Sequence, residues 1–211
     1  MDYIKLLVER YPALKGLEEN ILDAYKLLEE AYEKGNKVLI CGNGGSASDS
    51  LHIVGELMKG FKNPRLLSED LKKKLEAVDG NVGKILGSKL QMPLEAIALT
   101  DSTALNTAFI NDVENGGEYL FANQLLGYGK KGDVLIAIST SGNSKNCYNA
   151  CVVAKALGLK IIGLTGKDGG KLKGISDACI IAPSNETYMI QEYHLPIYHT
   201  LCLMLEEKFF D

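Results

Sequence analysis

No apolar run in this chain reaches the length of a membrane span, and its first residues, MDYIKLLVERY, carry charges where a signal peptide needs an apolar core. There is no excess of positive charge either. The net charge is -4, so nothing in the composition favours nucleic acid or an anionic membrane surface as a partner. An even cysteine count is also missing. The five cysteines, Cys41, Cys147, Cys151, Cys179 and Cys202, lie in apolar contexts and read as reduced, buried thiols, which predicts a cytoplasmic protein. Cys147 and Cys151 are four apart, but no second Cys or His pair at zinc spacing accompanies them, so packing is the better reading. Internal repeats and linker-like stretches are absent. At 211 residues with 46% apolar and 24% charged side chains, the chain predicts one globular domain over 1–211 with a full core.

The chain is organised around VLICGNGGSASDSLHIVGELMKG, residues 38–60. Val38–Cys41 reads as a buried strand, Gly42–Gly45 as a break, and the residues from Ala47 as a helix. Ser46, Ser48 and Asp49 can each cap its start, and Leu51, Val54, Leu57 and Met58 form its apolar stripe. A strand, a glycine turn and a helix in that order leave free N–H groups that suit an anion. His52 and Glu56 are four apart and share a face of this helix. Two solvated helix residues after a glycine-rich turn would give the same pattern without chemistry.

Residues 2–34 predict two helices divided by Pro12 and Gly16, able to pack on the sheet or to reach a neighbouring subunit. Residues 62–93 are less regular, with three glycines, Gly80, Gly83 and Gly87, that suggest loop. One helix is expected from Glu69 to about Val78, and the segment reads as an exposed insertion whose lysines form a solvated face. Further strands are expected at 96–99, 134–138, 161–164 and 179–182, alternating with helices. That alternation predicts an α/β fold with a five-stranded parallel sheet covered on both faces. Ligands bind such sheets at the carboxyl ends of the strands. The loops Gly42–Ser48, Thr100–Thr103, Ser139–Ser144 and Thr165–Gly170 all follow strands and converge there.

Ser139-Thr140-Ser141-Gly142-Asn143-Ser144 sets four hydroxyls and an amide between a strand and a helix start. Hydroxyls with helix N-terminal amides form a phosphate cradle, and four are more than one cap needs. No lysine follows the glycine, so this is not a nucleotide P-loop, nor is it G-x-G-x-x-G. The last helix, from about Glu186 to Phe209, carries Gln191, His194 and His199. Gln191 and His199 are eight apart and lie on roughly one face, with His194 rotated away. Pro196 within that helix predicts a kink or a lost hydrogen bond.

Five collinear stretches, CGNGGSASDSLHIVGEL, AIALTDSTALNTAFIND, GDVLIAISTSGNSKN, LTGKDGGKL and IQEYHLPIYHTL, resemble the sugar isomerase (SIS) domains and, within them, the phosphoheptose isomerases. The resemblance implies a SIS-domain sandwich and an aldose–ketose isomerase acting on D-sedoheptulose 7-phosphate through an ene-diol. It implies that Ser139, Thr140, Ser141 and Ser144 hold the phosphate, and that Asn43, Ser46 and Asp101 hold sugar hydroxyls, with Gly44, Gly45 and Gln191 also at the substrate. Glu56 would be the catalytic base and His199 its acid–base partner. Family members can hold zinc, with ligands mapping to His52, Glu56, Gln191 and His199, and are typically homotetramers. The long 62–93 segment and Pro196 depart from the family pattern. Two rivals share the fold: an adaptor that binds the bacterial replication initiator, and a phosphosugar sensor without turnover. Retention of both Glu56 and His199 argues against the adaptor.

Overall fold

A computed structural model describes residues 1–210. Five short apolar runs form parallel strands: β1 (Val38–Cys41), β2 (Ala96–Ala98), β3 (Val134–Ser139), β4 (Lys160–Thr165) and β5 (Ala178–Ile181). Their order across the sheet is β2-β1-β3-β4-β5. Val38 pairs with Ala96 on one side and with Val134 on the other. Every residue of β1 and β3 is buried, as expected of central strands covered on both faces.

Alternate residues of the strands feed two cores. Val38, Ile40, Ile136 and Ile138 face α1 (Tyr3–Arg10), α2 (Glu18–Glu33), α3 (Gly45–Leu57) and α10 (Thr187–Phe210) through Leu7, Ile21, Leu28, Ile53, Leu201 and Leu205. Leu39, Cys41, Leu135 and Ala137 face α7 (Leu120–Tyr128), α8 (Lys145–Leu157) and α9 (Gly170–Ile175), where Phe121, Leu125, Cys147, Cys151 and Leu172 pack. The expected α/β sandwich is therefore present, with two helices from the N-terminal segment on one face. All five thiols are free.

The chain steps from β1 to β2 on one side, then crosses to β3 on the other. The connections thus diverge between β1 and β3. In an open parallel sheet this leaves a crevice beyond their carboxyl ends.

Four readings of local structure need correction. Residues 62–93 hold two helices, α4 (Glu69–Val78) and α5 (Gly80–Lys89), not one. The glycines that suggested a loop are packing residues, since a Cβ on Gly83 would lie 2.3 Å from Leu75 O and one on Gly87 3.2 Å from Lys72 Cγ. Asp79 caps α5, accepting from the N–H groups of Asn81 and Val82 at 3.0 and 2.9 Å. On α3 the buried stripe is Ser46, Ser50, Ile53 and Leu57, while Leu51 and Met58 are exposed. The small serines let the helix sit close, and Ser50 Oγ donates to Ala47 O at 2.6 Å and lies 2.8 Å from Thr100 Oγ1. The expected caps Ser46, Ser48 and Asp49 lie inside α3, whose cap is Gly44. The short α9 was hidden by its glycine-rich start. Pro196 costs α10 one N–H donor, as expected, without breaking the helix, and Thr200 Oγ1 donates to Pro196 O at 2.8 Å.

Candidate active site

The crevice is built by the first and third strand-ends. After β1 the chain turns at Gly42, where a Cβ would lie 2.5 Å from Ser46 O, and at Gly44, whose φ is 56°. α3 then starts at Gly45 without a side-chain cap. The Ser46 and Ala47 N–H groups turn back onto Asn43 O and Gly44 O, so this end of α3 offers an anion chiefly the positive end of its dipole. Gly45 is small for a reason: a Cβ there would lie 2.5 Å from Gln191 Nε2.

After β3 comes the hydroxyl loop. Ser139 Oγ and Ser144 Oγ are 2.9 Å apart, and the Asn143 N–H donates to Ser141 Oγ at 3.2 Å. Gly142 has φ 65°, and a Cβ would fall 1.9 Å from Gly169 O. The loop is thus pressed onto the one after β4, which returns N–H bonds from Gly166 to Thr140 O and from Leu172 to Gly142 O. Ser144 precedes α8 without capping it, so a second helix N-terminus opens here.

Between these loops lies a cleft of about 310 Å³, lined by Asn43, Gly44, Gly45, Ser46, Ile138, Ser139, Thr140, Ser144, Thr187 and Gln191. Two uncapped helix starts and a set of hydroxyls suit a phosphate. Asn43 also exchanges amide hydrogen bonds with Asn146, at 2.9 and 2.8 Å. Ser141 and Asp101 lie outside this lining, in loops that end at the same sheet edge.

The second half of the site is where α3 and α10 run together. His52 Nε2 is 3.3 Å from Glu56 Oε1, as the four-residue spacing requires. His199 Nε2 approaches His52 Nε2 to 3.5 Å. Residues 147 positions apart thereby meet. Lys59 Nζ pairs with the other oxygen, Glu56 Oε2, at 2.9 Å. Tyr198 Oη is 3.0 Å from His52 Nδ1 and donates to Asp49 Oδ1 at 3.3 Å. With its one proton given to Asp49, Tyr198 can only accept from His52 Nδ1. His52 Nε2 is left facing Glu56 and His199.

Electrostatics separate the three histidines. His194 is buried, with Nε2 3.0 Å from Thr165 O, and burial lowers its pKa to about 4, so it is a neutral structural residue. Burial, and next the His52 charge, lower the pKa of His199, with Glu56 opposing. Burial raises Asp49 against the Tyr198 bond, and burial with the Asp49 charge raises Tyr198. Lys59 and Tyr198 were not singled out from sequence, and Asp49 only as a helix cap. The usable signals were adjacency of Tyr198 to His199 and the helical spacing of Asp49 from His52.

The expected zinc set is only partly assembled. Two imidazole nitrogens and a carboxylate oxygen are suitable donors. Gln191 lies apart, its amide against Gly45 in the cleft. Among the described residues no group of three or more His, Cys, Asp or Glu is arranged to hold a metal ion.

Cleft and histidine cluster lie along one pair of helices. Gly45 faces Gln191 at one end, and His52 faces His199 further on. Eight residues of α10 separate them, a rise of about 12 Å. A ligand with an anion at one end and a reacting carbon at the other suits that layout.

Comparison with known proteins decides the family. A model of the SIS domain matches residues 2–81 and 86–166. The phosphoheptose isomerase of Helicobacter pylori (strain P12) is 42% identical over 197 residues, covering 93% of this chain and 88% of that protein. The chain belongs to the phosphoheptose isomerases. That of Aneurinibacillus thermoaerophilus is 40% identical over 219 residues, covering 99% of this chain and 95% of that protein. In three dimensions, the phosphoheptose isomerase GmhA from Neisseria gonorrhoeae matches with a TM-score of 0.75 at 32% identity, over 94% of this chain and 91% of that one. The domain match ends at residue 166, but the Aneurinibacillus alignment takes in 99% of this chain, so the cleft and the cluster both fall within what is shared with that relative.

Proposed function

We propose that this protein, a single SIS domain, converts D-sedoheptulose 7-phosphate to D-glycero-D-manno-heptose 7-phosphate. The observation that carries the reading is the meeting of Glu56, His52 and His199 along the helix pair that also lines the phosphate-suited cleft. An adaptor or a sensor has no use for a carboxylate and an imidazole brought together from opposite ends of the chain.

The chemistry is a balanced proton transfer. Glu56 removes a proton from C1, the C–H electrons form the C1–C2 double bond, and the C2 carbonyl π electrons move onto O2. His199 moves the hydroxyl proton from O1 to O2. Glu56 then returns its proton to C2 and leaves an aldehyde at C1. The Lys59 contact on Oε2 leaves Oε1 on the side of the histidines. Ser139, Thr140, Ser141, Ser144 and the α8 start hold the phosphate, while Asn43, Ser46, Asp101 and Gln191 hold sugar hydroxyls. Incubation with sedoheptulose 7-phosphate and NMR of the product tests the reading, and an unchanged spectrum overturns it.

Phosphate contacts are made alike in ground and transition states, so their loss reads out in KM. Ser144→Ala removes a cleft hydroxyl and the partner of Ser139. One lost hydrogen bond to a charged group is expected to raise KM about tenfold, with kcat near wild type. Ser141→Ala has a smaller effect of the same kind, because Ser141 is turned towards Asn143. Steady-state kinetics of both variants check this.

Zinc is proposed as the ion for His52, Glu56 and His199 on the chemistry of the donors alone, and Gln191, set against Gly45, would have to turn from the cleft to be the fourth ligand. When bound it would polarise the substrate carbonyl. No step above depends on it. Protein purified without chelator is expected to carry about one zinc per chain and to lose activity on chelation, recovering with zinc. Full activity in chelator removes the zinc role and leaves the proton-transfer pair standing.

A homotetramer is proposed from the apolar surface left over. α6 (Thr103–Asp112) has no buried residue, and Leu105 and Ile110 on it and Val113 at its end are exposed. Light scattering at micromolar concentration is expected to give a mass about four times the 22.9 kDa of one chain. The free thiols support a reducing, cytoplasmic setting.

A further inference from the structure

Seven residues beyond His199, two turns along α10, lies Glu206. It is 1% exposed, and so is Arg65. Arg65 Nε donates to Glu206 Oε1 at 2.9 Å. The rest of the guanidinium serves α3: Nη1 donates to Leu57 O at 2.6 Å and Nη2 to Glu56 O at 3.0 Å. These are carbonyls of the last helical turn, which have no partner within the helix. Glu206 in turn accepts main-chain N–H groups from Phe61 at 2.7 Å, Lys62 at 2.7 Å and Asn63 at 3.0 Å. The Phe61 ring lies tilted against His199, with ring centroids 5.2 Å apart. Burial opposes the Glu206 charge, but those three N–H bonds and Arg65 outweigh it and hold the carboxyl below its usual range.

A buried ion pair is weak evidence for stability, because apolar residues of similar shape often serve as well. What apolar residues cannot do is hold named carbonyls at fixed distances. This pair does so for the residue that carries the base, and it anchors that end of α3 to the helix that carries His199. The planar fork of arginine meets three acceptors at once, which the single ammonium of lysine cannot match.

We propose that Arg65 and Glu206 are positioning residues for the isomerisation, a buried clasp that fixes the end of α3, and with it Glu56, against α10 and His199. The proposal rests on the reading of Glu56 as the base. The clasp touches no part of the phosphate cleft, which lies at the other end of α3. Its loss therefore acts on kcat and not on KM.

The test compares kcat, KM and melting temperature for wild type, Glu56→Gln, Arg65→Lys, Glu206→Gln, Arg65→Met and the double variant Arg65→Met/Glu206→Met. A small misplacement of a reacting group costs up to about a hundredfold, so Arg65→Lys and Glu206→Gln are expected to lower kcat by about 10- to 100-fold while KM stays within about twofold. The double variant is expected to regain melting temperature relative to Arg65→Met alone while kcat stays low. Recovery of kcat in step with melting temperature overturns the proposal and leaves a packing role. If the double variant does not fold, the two conservative variants decide, and wild-type kcat in both overturns the proposal. Near wild-type turnover in Glu56→Gln overturns the assignment of the base and the clasp with it. An inactive Glu56→Gln beside fully active clasp variants overturns the clasp alone.

Discussion

Glu56→Gln is expected to lower kcat by at least about 10³-fold, within the range that a positioned base supplies, with substrate binding largely intact. Glutamine keeps the shape of the side chain and can still accept from Lys59 through its oxygen. It cannot take a proton from carbon. The carboxylate is half-buried on the last turn of α3, with one oxygen on Lys59 and the other 3.3 Å from His52. Among the described residues no other carboxylate touches this cluster except Asp49, which faces Tyr198 on the far side of the His52 ring. A substitute base is therefore not at hand. The checks are kcat from the NMR assay and binding of substrate by calorimetry. Turnover within tenfold of wild type would remove Glu56 as the base.

Most of the architecture was legible because its signals are local. β1, β3 and β4 are continuous apolar runs that end in glycine or hydroxyl residues, and a buried parallel strand leaves little other reading. The helix after Gly44-Gly45 was placed within two residues of its observed start, although its capping was misread. Ser46 and Ser50 look like caps or surface in sequence, and only the closeness of α3 to its neighbours makes them buried. The glycines of 80–87 misled for a similar reason. A glycine needed for helix contact and a glycine needed for a turn are the same letter.

The site was half legible. His52 and Glu56 share a face by arithmetic, and the family resemblance supplied His199. Neither reveals the Tyr198–Asp49 pair behind His52, because the contact crosses between helices. The Arg65–Glu206 clasp was equally silent. Arg65 sits in a stretch rich in lysine that reads as solvated, and only the fold takes it to 1% exposure. Charged residues inside an apparent surface run are the ones sequence places worst, since their partners lie more than a hundred residues away.

His199→Gln gives the second large effect. His199 moves a proton between two oxygens of the substrate, so it must be able to accept and to donate near neutral pH. Burial first, then the neighbouring His52, holds its pKa below the ordinary 6.5, and Glu56 only partly offsets this. A histidine with a lowered pKa keeps its lone pair as pH falls through 6.5 and loses it only at lower pH. Wild-type kcat is therefore expected to hold at pH 6.5 and to decline below it, with His199 contributing to that acid limb. Glutamine at this position fills similar space and keeps a donor, but it does not titrate and cannot relay a proton. The variant is expected to lose about 10²- to 10⁴-fold in kcat with KM little changed, since the phosphate cleft is built from other residues. Its residual activity should also lose the part of the acid limb that belongs to His199. A pH series of kcat for both proteins decides it: equal kcat and superimposable profiles would show that the proton moves by another route, through His52 or solvent, and would leave Glu56 as the only residue of the pair with a chemical role.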